Sequence, residues 1–421
     1  MATNTSPPSI LMSLFLPFCA IVIICCFFLD ADRQPTLLSH RYPKVRPLLS
    51  ERTIYATMSK ANQSLCPTGS ISVTSVTLVA DSVRNGSDVP YQATCQPLDR
   101  VVYIKTHKTG STTLASIFER YAYLHSLDVA VPPSSHILSN DDLFLTSMVI
   151  KFKRRKRKDF DMLVNHVRYN RRQMDISVPH AKYVSIIRHP VQQFESFFGY
   201  FEIAERLKIN ASNPLEAFMS NVKVYNANDS FLWTRFRNGQ LYDFGFDHNY
   251  DENFTRIKEK IKELAREIDL VMINEYFDES LILLRKLMCW NYTDILYVSN
   301  AVRSKSHRYP LTEKTAERIR SWNAGDTMLY DYFNKTFWKK VREYGEDFHR
   351  DLAYFRALEQ SVMDDCIMKN KTDNRDIRED KFVTKRNATK FCKDLLRADV
   401  LYTHLIRKTM ITRYKRHKRG H

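Results

Sequence analysis

Three features of the sequence predict an α/β fold with a central, mostly parallel sheet flanked by helices. Four short apolar runs, Arg100–Thr106, Phe160–His166, Lys182–Arg188 and Ile268–Asn274, alternate with stretches of helical period. The third run is apolar at nearly every position, the pattern of a strand covered on both faces of a parallel sheet. The first and third runs each end in a polar, cationic turn that leads into a helix, as βα units do.

The chain begins with a polar tail, residues 1–9. Ile10–Leu29 follows as 20 uncharged, mostly apolar residues, about 30 Å as a helix, which matches a bilayer core. It reads as an uncleaved transmembrane signal anchor, because Phe28-Leu29-Asp30-Ala31 is a poor small-residue cleavage site. Residues 30–97 are rich in Ser and Thr and interrupted by Pro35, Pro43, Pro47, Pro67, Pro90 and Pro97, which predicts a stem. Within it, Ser70–Val79 alternates as an edge strand does.

The folded body is expected over 98–421, with a core at 98–345 and a helical, basic part at 346–421. After the first strand and its helix, Lys151–Lys158 forms a dense basic run, read as a solvated face or as a contact for an anionic glycan or lipid. A helix is expected over Val191–Leu207, with Phe194, Phe197, Phe198, Phe201 and Ala204 on one side. Further helices are expected over Thr255–Glu267, Glu275–Cys289, Thr312–Asn323 and Asp326–Tyr344, with a short strand at Ile295–Ser299. The end of the chain, Arg413–Arg419, reads as an exposed basic tail.

A formal net charge of +17 on 421 residues calls for an anionic partner. Nine Asn-x-Ser/Thr sequons follow the apolar run, at Asn62, Asn85, Asn210, Asn228, Asn253, Asn291, Asn334, Asn370 and Asn387, which favours a lumenal body. Cys66, Cys95, Cys289, Cys366 and Cys392 also follow the run. Five cysteines allow at most two intrachain disulfides, and spacing does not choose the pairs. No spacing of Cys or His fits a zinc site, and no metal is expected.

The chemistry is concentrated at the first junction, Lys105-Thr106-His107-Lys108-Thr109-Gly110-Ser111-Thr112-Thr113. A strand–loop–helix turn aims backbone N–H groups and the positive end of a helix at an anion. The hydroxyls of Thr109, Ser111, Thr112 and Thr113 add donors, and Lys108 adds a full charge. The loop is not a Walker A motif, which needs an earlier glycine and places its Lys after the last one. A second anion site is expected where the third strand ends. Arg188 offers a bidentate, permanent charge and Ser196 a directed hydrogen bond. Parallel strands open on one edge of the sheet, so both sites can serve one nucleotide carrying two anionic groups.

The order Lys-Thr-His-Lys-Thr-Gly-Ser-Thr, with Ile-Ile-Arg-His-Pro-Val-x-x-Phe-Glu-Ser-Phe-Phe, resembles the 5′- and 3′-phosphate motifs of Golgi sulfotransferases, and more narrowly the galactose 3-O-sulfotransferase family. Further blocks carry the resemblance across about residues 95–345: Cys95–Pro97, Asn165–Tyr169, Asp243–Asp247, Glu275–Leu281 with Cys289-Trp290, and Trp322-Asn323 through Trp338. Gly110 stands where the family is expected to carry Ala. The resemblance implies a P-loop-type sulfotransferase fold. It implies 3′-phosphoadenosine-5′-phosphosulfate (PAPS) as donor, and as acceptor the 3-hydroxyl of galactose in a galactosylceramide-like glycolipid or a glycoprotein glycan. It also implies a Golgi membrane protein, single-pass type II, with the body in the lumen and no nucleic-acid partner.

In that frame Lys108 stabilises the leaving oxygen, and Lys105, Thr109, Gly110, Ser111, Thr112 and Thr113 hold the 5′-phosphate. Arg188 and Ser196 hold the 3′-phosphate. His166, at the end of the second strand, is the expected general base, with His107 as its rival. His107 and Arg168 are expected at the acceptor, and Asn300, Arg303 and Lys305 at the adenine. Two alternatives stay open: a uronyl 2-O-sulfotransferase acting on glycosaminoglycan, and an inactive glycan-binding protein on the same fold.

Overall fold

The apolar runs become one four-stranded parallel sheet. Its strands are β1 (Val101–Ile104), β2 (Met162–Leu163), β3 (Lys182–Ile187) and β4 (Leu270–Ile273), in the order β2-β1-β3-β4. Every residue of β1 and β4 is buried, as is β3 after Lys182. Ile104 pairs with Ser185 and Ile187 with Ile273, so β1, β3 and β4 run parallel and open towards the same edge. The computed structural model describes residues 95–153, 155–225, 230–298, 302–303, 308–369, 379–380 and 382–415.

Helices cover this sheet as its apolar faces require. The ones that position the site are α1 (Ser111–Leu124), α2 (Pro190–Tyr200), α3 (Gly239–Asp243), α4 (Phe277–Met288), α5 (Ala324–Tyr344) and α6 (Asp399–Lys415). α4 and α5 pack on β4, and α6 packs along α1. Phe194, Phe197 and Phe198 of α2 form a second apolar cluster with Phe218, Phe236 and Ile319.

The helix expected over Val191–Leu207 is broken. α2 stops at Tyr200, Glu202 turns left-handed (φ 53°), and a short helix follows at Ile203–Arg206. At about 100° per residue, a straight helix would put Ile203 opposite the phenylalanine stripe. The turn instead buries it completely. The strand expected at Ile295–Ser299 is absent over its described residues. Asn291 and Asp294 form a capping box around a helical turn at Tyr292–Ile295, and the chain continues as coil with Leu296 and Val298 buried and Tyr297 half-buried.

The basic run is partly internal. Arg155 Nε bonds Asp128 Oδ2 at 2.9 Å and Arg157 pairs with Asp161 at 2.7 Å, while the lysines at 151, 153, 156 and 158 are exposed. The basic tail is also tied down in part: Arg413 pairs with Asp128 at 2.8 Å, and Tyr414 bonds the same carboxylate. Among the described residues two disulfides form, Cys95–Cys289 and Cys366–Cys392. The apolar run 10–29, the edge strand at Ser70–Val79, Cys66, Asn300 and Lys305 lie outside the described residues. Among the described residues, no helix is long and apolar enough to cross a membrane.

Candidate active site

The loop between β1 and α1 is a tight, left-handed turn. Lys108 (φ 61°) and Gly110 (φ 77°) both adopt positive φ. α1 then starts with no side-chain cap and no acidic residue in its first turn. Its first intrahelical bond is Leu114 N to Gly110 O, which leaves the N–H groups of Ser111, Thr112 and Thr113 as unmatched first-turn donors. These groups and the helix dipole favour an anion here.

Not all of the expected hydroxyls face that anion. Thr109 Oγ donates to Thr106 O at 3.2 Å and Ser111 Oγ to the same carbonyl at 2.6 Å, so both knit the loop together from inside. In the first turn of α1, Thr112 is half-buried and Thr113 is buried. The Lys108 ammonium lies 3.5 Å from the centre of the exposed Tyr200 ring, at the end of α2. A cation–π seat of this kind orients the charge without neutralising it.

The two strand ends meet. Arg188 Nη1 donates to the carbonyl of Lys108 at 3.3 Å. Gln240 of α3 fixes the Arg188 backbone from both sides, accepting from its N–H at 2.8 Å and donating to its carbonyl at 2.9 Å. Asp326 of α5 in turn accepts from the N–H groups of Gln240 and Leu241, at 3.0 and 2.9 Å. Asn274, just after β4, donates to Thr109 O at 3.0 Å, and Glu275 accepts from His189 N at 3.0 Å. Ser196 lies on α2, half-buried.

Two imidazoles stack beside the loop. The rings of His107 and His166 are 4.4 Å apart and 21° from parallel. His107 Nδ1 faces both oxygens of Asp243, at 3.0 and 2.9 Å, and the His107 N–H donates to the same carboxylate at 2.8 Å. His166 Nδ1 faces the carbonyl of Lys105 at 3.2 Å. Each Nδ1 meets an acceptor, which selects the tautomer of the neutral ring that carries its proton on Nδ1 and its lone pair on Nε2. Burial, helped by the charge of Lys105 and by His107, pushes the His166 pKa well below the usual histidine value. His166 is therefore neutral at pH 7.

Two expected ligand contacts are committed elsewhere. Lys105 is buried, with Nζ 2.5 Å from Asp399 of α6, so its charge serves an internal ion pair. Arg168 points each of its three nitrogens at a backbone carbonyl, those of Tyr242, Asp141 and Phe246, all at 2.9 Å. Its guanidinium also lies 3.7 Å over the Tyr242 ring. Arg168 thus shapes the turn that carries Asp243 and is not turned towards an acceptor sugar.

Asp243, Gln240, Asn274 and Tyr200 were not singled out in the sequence. Asp243 opens one of the blocks that carry the family resemblance, and Asn274 ends a strand on the ligand edge. Both signals were readable. Gln240 and Tyr200 had none.

A family model described as galactose-3-O-sulfotransferase matches residues 40–397. Galactosylceramide sulfotransferase of Mus musculus is 34% identical over 293 residues, which covers 69% of this chain and 68% of that protein. Galactose-3-O-sulfotransferase 2 of Homo sapiens is 34% identical over 297 residues, 68% of this chain and 74% of that one. Galactose-3-O-sulfotransferase 3 of Mus musculus is 34% identical over 277 residues, 63% of each chain.

Proposed function

The chain belongs to the galactose-3-O-sulfotransferase family, and from that premise we propose that it transfers a sulfuryl group from PAPS to the 3-hydroxyl of a galactose residue. One observation carries this reading: the cationic ends of two neighbouring strands meet, with Arg188 against the Lys108 carbonyl. A donor with phosphates at both its 5′ and 3′ positions needs two adjacent anion sites. The α1 N-terminus with Lys108 suits the first, and Arg188 with Ser196 suits the second.

In the reaction the galactose 3-oxygen bonds to sulfur while the bond from sulfur to the 5′-phosphate oxygen breaks. The hydroxyl proton passes to an imidazole Nε2. The released electron pair settles on the phosphate, where Lys108 and the first-turn N–H groups of α1 stabilise it. His107 is the better supported base, because Asp243 fixes its tautomer and stabilises the imidazolium that forms. His166 carries no such carboxylate, and its burial disfavours the protonated form. It is the second candidate.

The relatives named for galactosylceramide and for galactose are equally identical to this chain at 34%, so identity favours neither a lipid-linked nor a protein-linked acceptor. Two disulfides fit an oxidising lumen, as do the sequons and the apolar run at 10–29. We place the body in the Golgi lumen on that support.

The test is transfer of labelled sulfate from PAPS to galactosides by the purified protein. Lys108→Ala and Arg188→Ala should each lower kcat/KM by about 100-fold or more. Retained activity in either variant overturns the donor-site assignment.

A further inference from the structure

A cavity of about 270 Å³ lies among Arg237, His248, Asn249, Asp251, Glu252 and Trp322, outside the groups assigned above. Its wall is built rather than incidental. Arg237 lies 4.6 Å over the Trp322 ring, donates through Nε to the Trp322 carbonyl at 3.2 Å, and pairs through Nη1 with Glu252 at 2.8 Å. The Trp322 indole N–H is fixed on Phe236 O at 2.7 Å. Asn238 ties Asp251 to the start of α3 at 3.0 Å.

The lining selects its ligand by charge. One arginine faces two carboxylates, so the cavity is slightly acidic on a chain whose formal charge is +17. It does not suit PAPS, a sulfated glycan or a phospholipid headgroup. Its charged rim does not suit a lipid tail either. The Trp322 indole with the Arg237 guanidinium over it, beside an amide and carboxylates, offers an aromatic ring with donors and acceptors around it, which matches a neutral sugar.

The cavity is also near the chemistry. The His248 ring is 6.1 Å from that of Tyr242. Tyr242 is the neighbour of Asp243, which holds His107. The contact path runs through the buried Tyr242 and Asp243 and adds up to roughly 15 Å, so the two places are no further apart than an oligosaccharide reaches and too far apart for one sugar.

We propose that this cavity is a subsite for the inner sugars of an extended, neutral acceptor glycan whose terminal galactose reaches the histidine pair. The inference rests on the acceptor reading above and sharpens it, favouring an oligosaccharide over a single lipid-linked galactose. The experiment compares a neutral galactose-terminated tetrasaccharide with methyl β-galactoside as acceptors. The variant is Asn249→Ala/Glu252→Ala, which alters two exposed side chains.

The variant's KM for the tetrasaccharide should rise about tenfold, the value of a lost hydrogen-bonded contact, while KM for the methyl galactoside stays within twofold. Equal changes on both acceptors, or none on either, overturn the proposal. Saturation-transfer NMR of the tetrasaccharide without donor should show contacts to its inner sugars that the variant loses. If the wild-type protein sulfates no acceptor, the proposed function falls, and the NMR contact still decides the subsite.

Discussion

Asp243 touches neither anion site, yet it sets the state of the imidazole next to the donor loop. Its two oxygens take both the ring N–H and the backbone N–H of His107. Asparagine in its place has one acceptor atom and turns a donor towards one of those groups. The ring then flips tautomer and presents a protonated Nε2. Asp243→Asn should lower kcat by about 10²- to 10⁴-fold with little change in KM for PAPS, and a variant with normal kcat would exclude His107 as base. Glu119 offers a second test at this scale. Burial on α1 pushes its pKa up to about 8, with Thr403 of α6 and Asn165 as its bonding partners. The folded state therefore holds a proton that the unfolded chain loses near pH 4.5. The resulting stability is full below that pH and is lost as pH rises towards 8, at up to about 1.4 kcal/mol per pH unit. Denaturant unfolding at pH 5, 6.5 and 8 should show that loss in the wild type and a flatter profile in Glu119→Gln. Parallel profiles would mean that Glu119 is ionised in the fold.

Among the elements, α3 has only five residues and controls most of the site. Gln240 near its start clamps Arg188, and Asp243 at its end clamps His107. Apart from Asp243, which opens one of the resembling blocks, it carries no local signal in the sequence, because its importance comes from bonds to partners 52 and 136 residues away. The strands were legible for the opposite reason. Each is a local apolar run, and burial on both faces requires nothing more. The donor loop lies between these cases. Its residue types announce an anion site, but a sequence does not say which hydroxyls turn inward. Gly110 illustrates the coupling: a Cβ there would sit 2.4 Å from Asn274 Nδ2, at φ 77°. Gly110→Ala should destabilise the protein by about 1–3 kcal/mol and weaken donor binding. Combined with Asn274→Ala, the loss should be smaller than the sum of the two, as melting temperatures would report. Strict additivity would mean that the two side chains do not compete for that space.

On the scale of the whole molecule, the last helix completes the first loop. α6 brings Asp399 to Lys105, Thr403 to Glu119 and Asn165, and Arg407 to the carbonyls of Pro132 and Ser135. Asp399→Ala leaves the Lys105 ammonium buried without its counter-charge and should cost about 3–5 kcal/mol, measured by denaturant unfolding. A loss under 1 kcal/mol would show that the pair is dispensable. By itself the sequence determined the α/β class, the four strands of the parallel sheet and the two cationic strand–helix junctions, of Lys108 and Arg188, that open on one edge of it, because these follow from local periodicity and from the residue types of two junctions. Only the tertiary structure decided that Lys105 and Arg168 face inward, that Asp243 orients His107, and that a helix from the end of the chain closes the floor of the site. Each of those outcomes depends on a charge finding its partner across 74 to 294 residues, and a separation in sequence carries no record of which distant group will arrive.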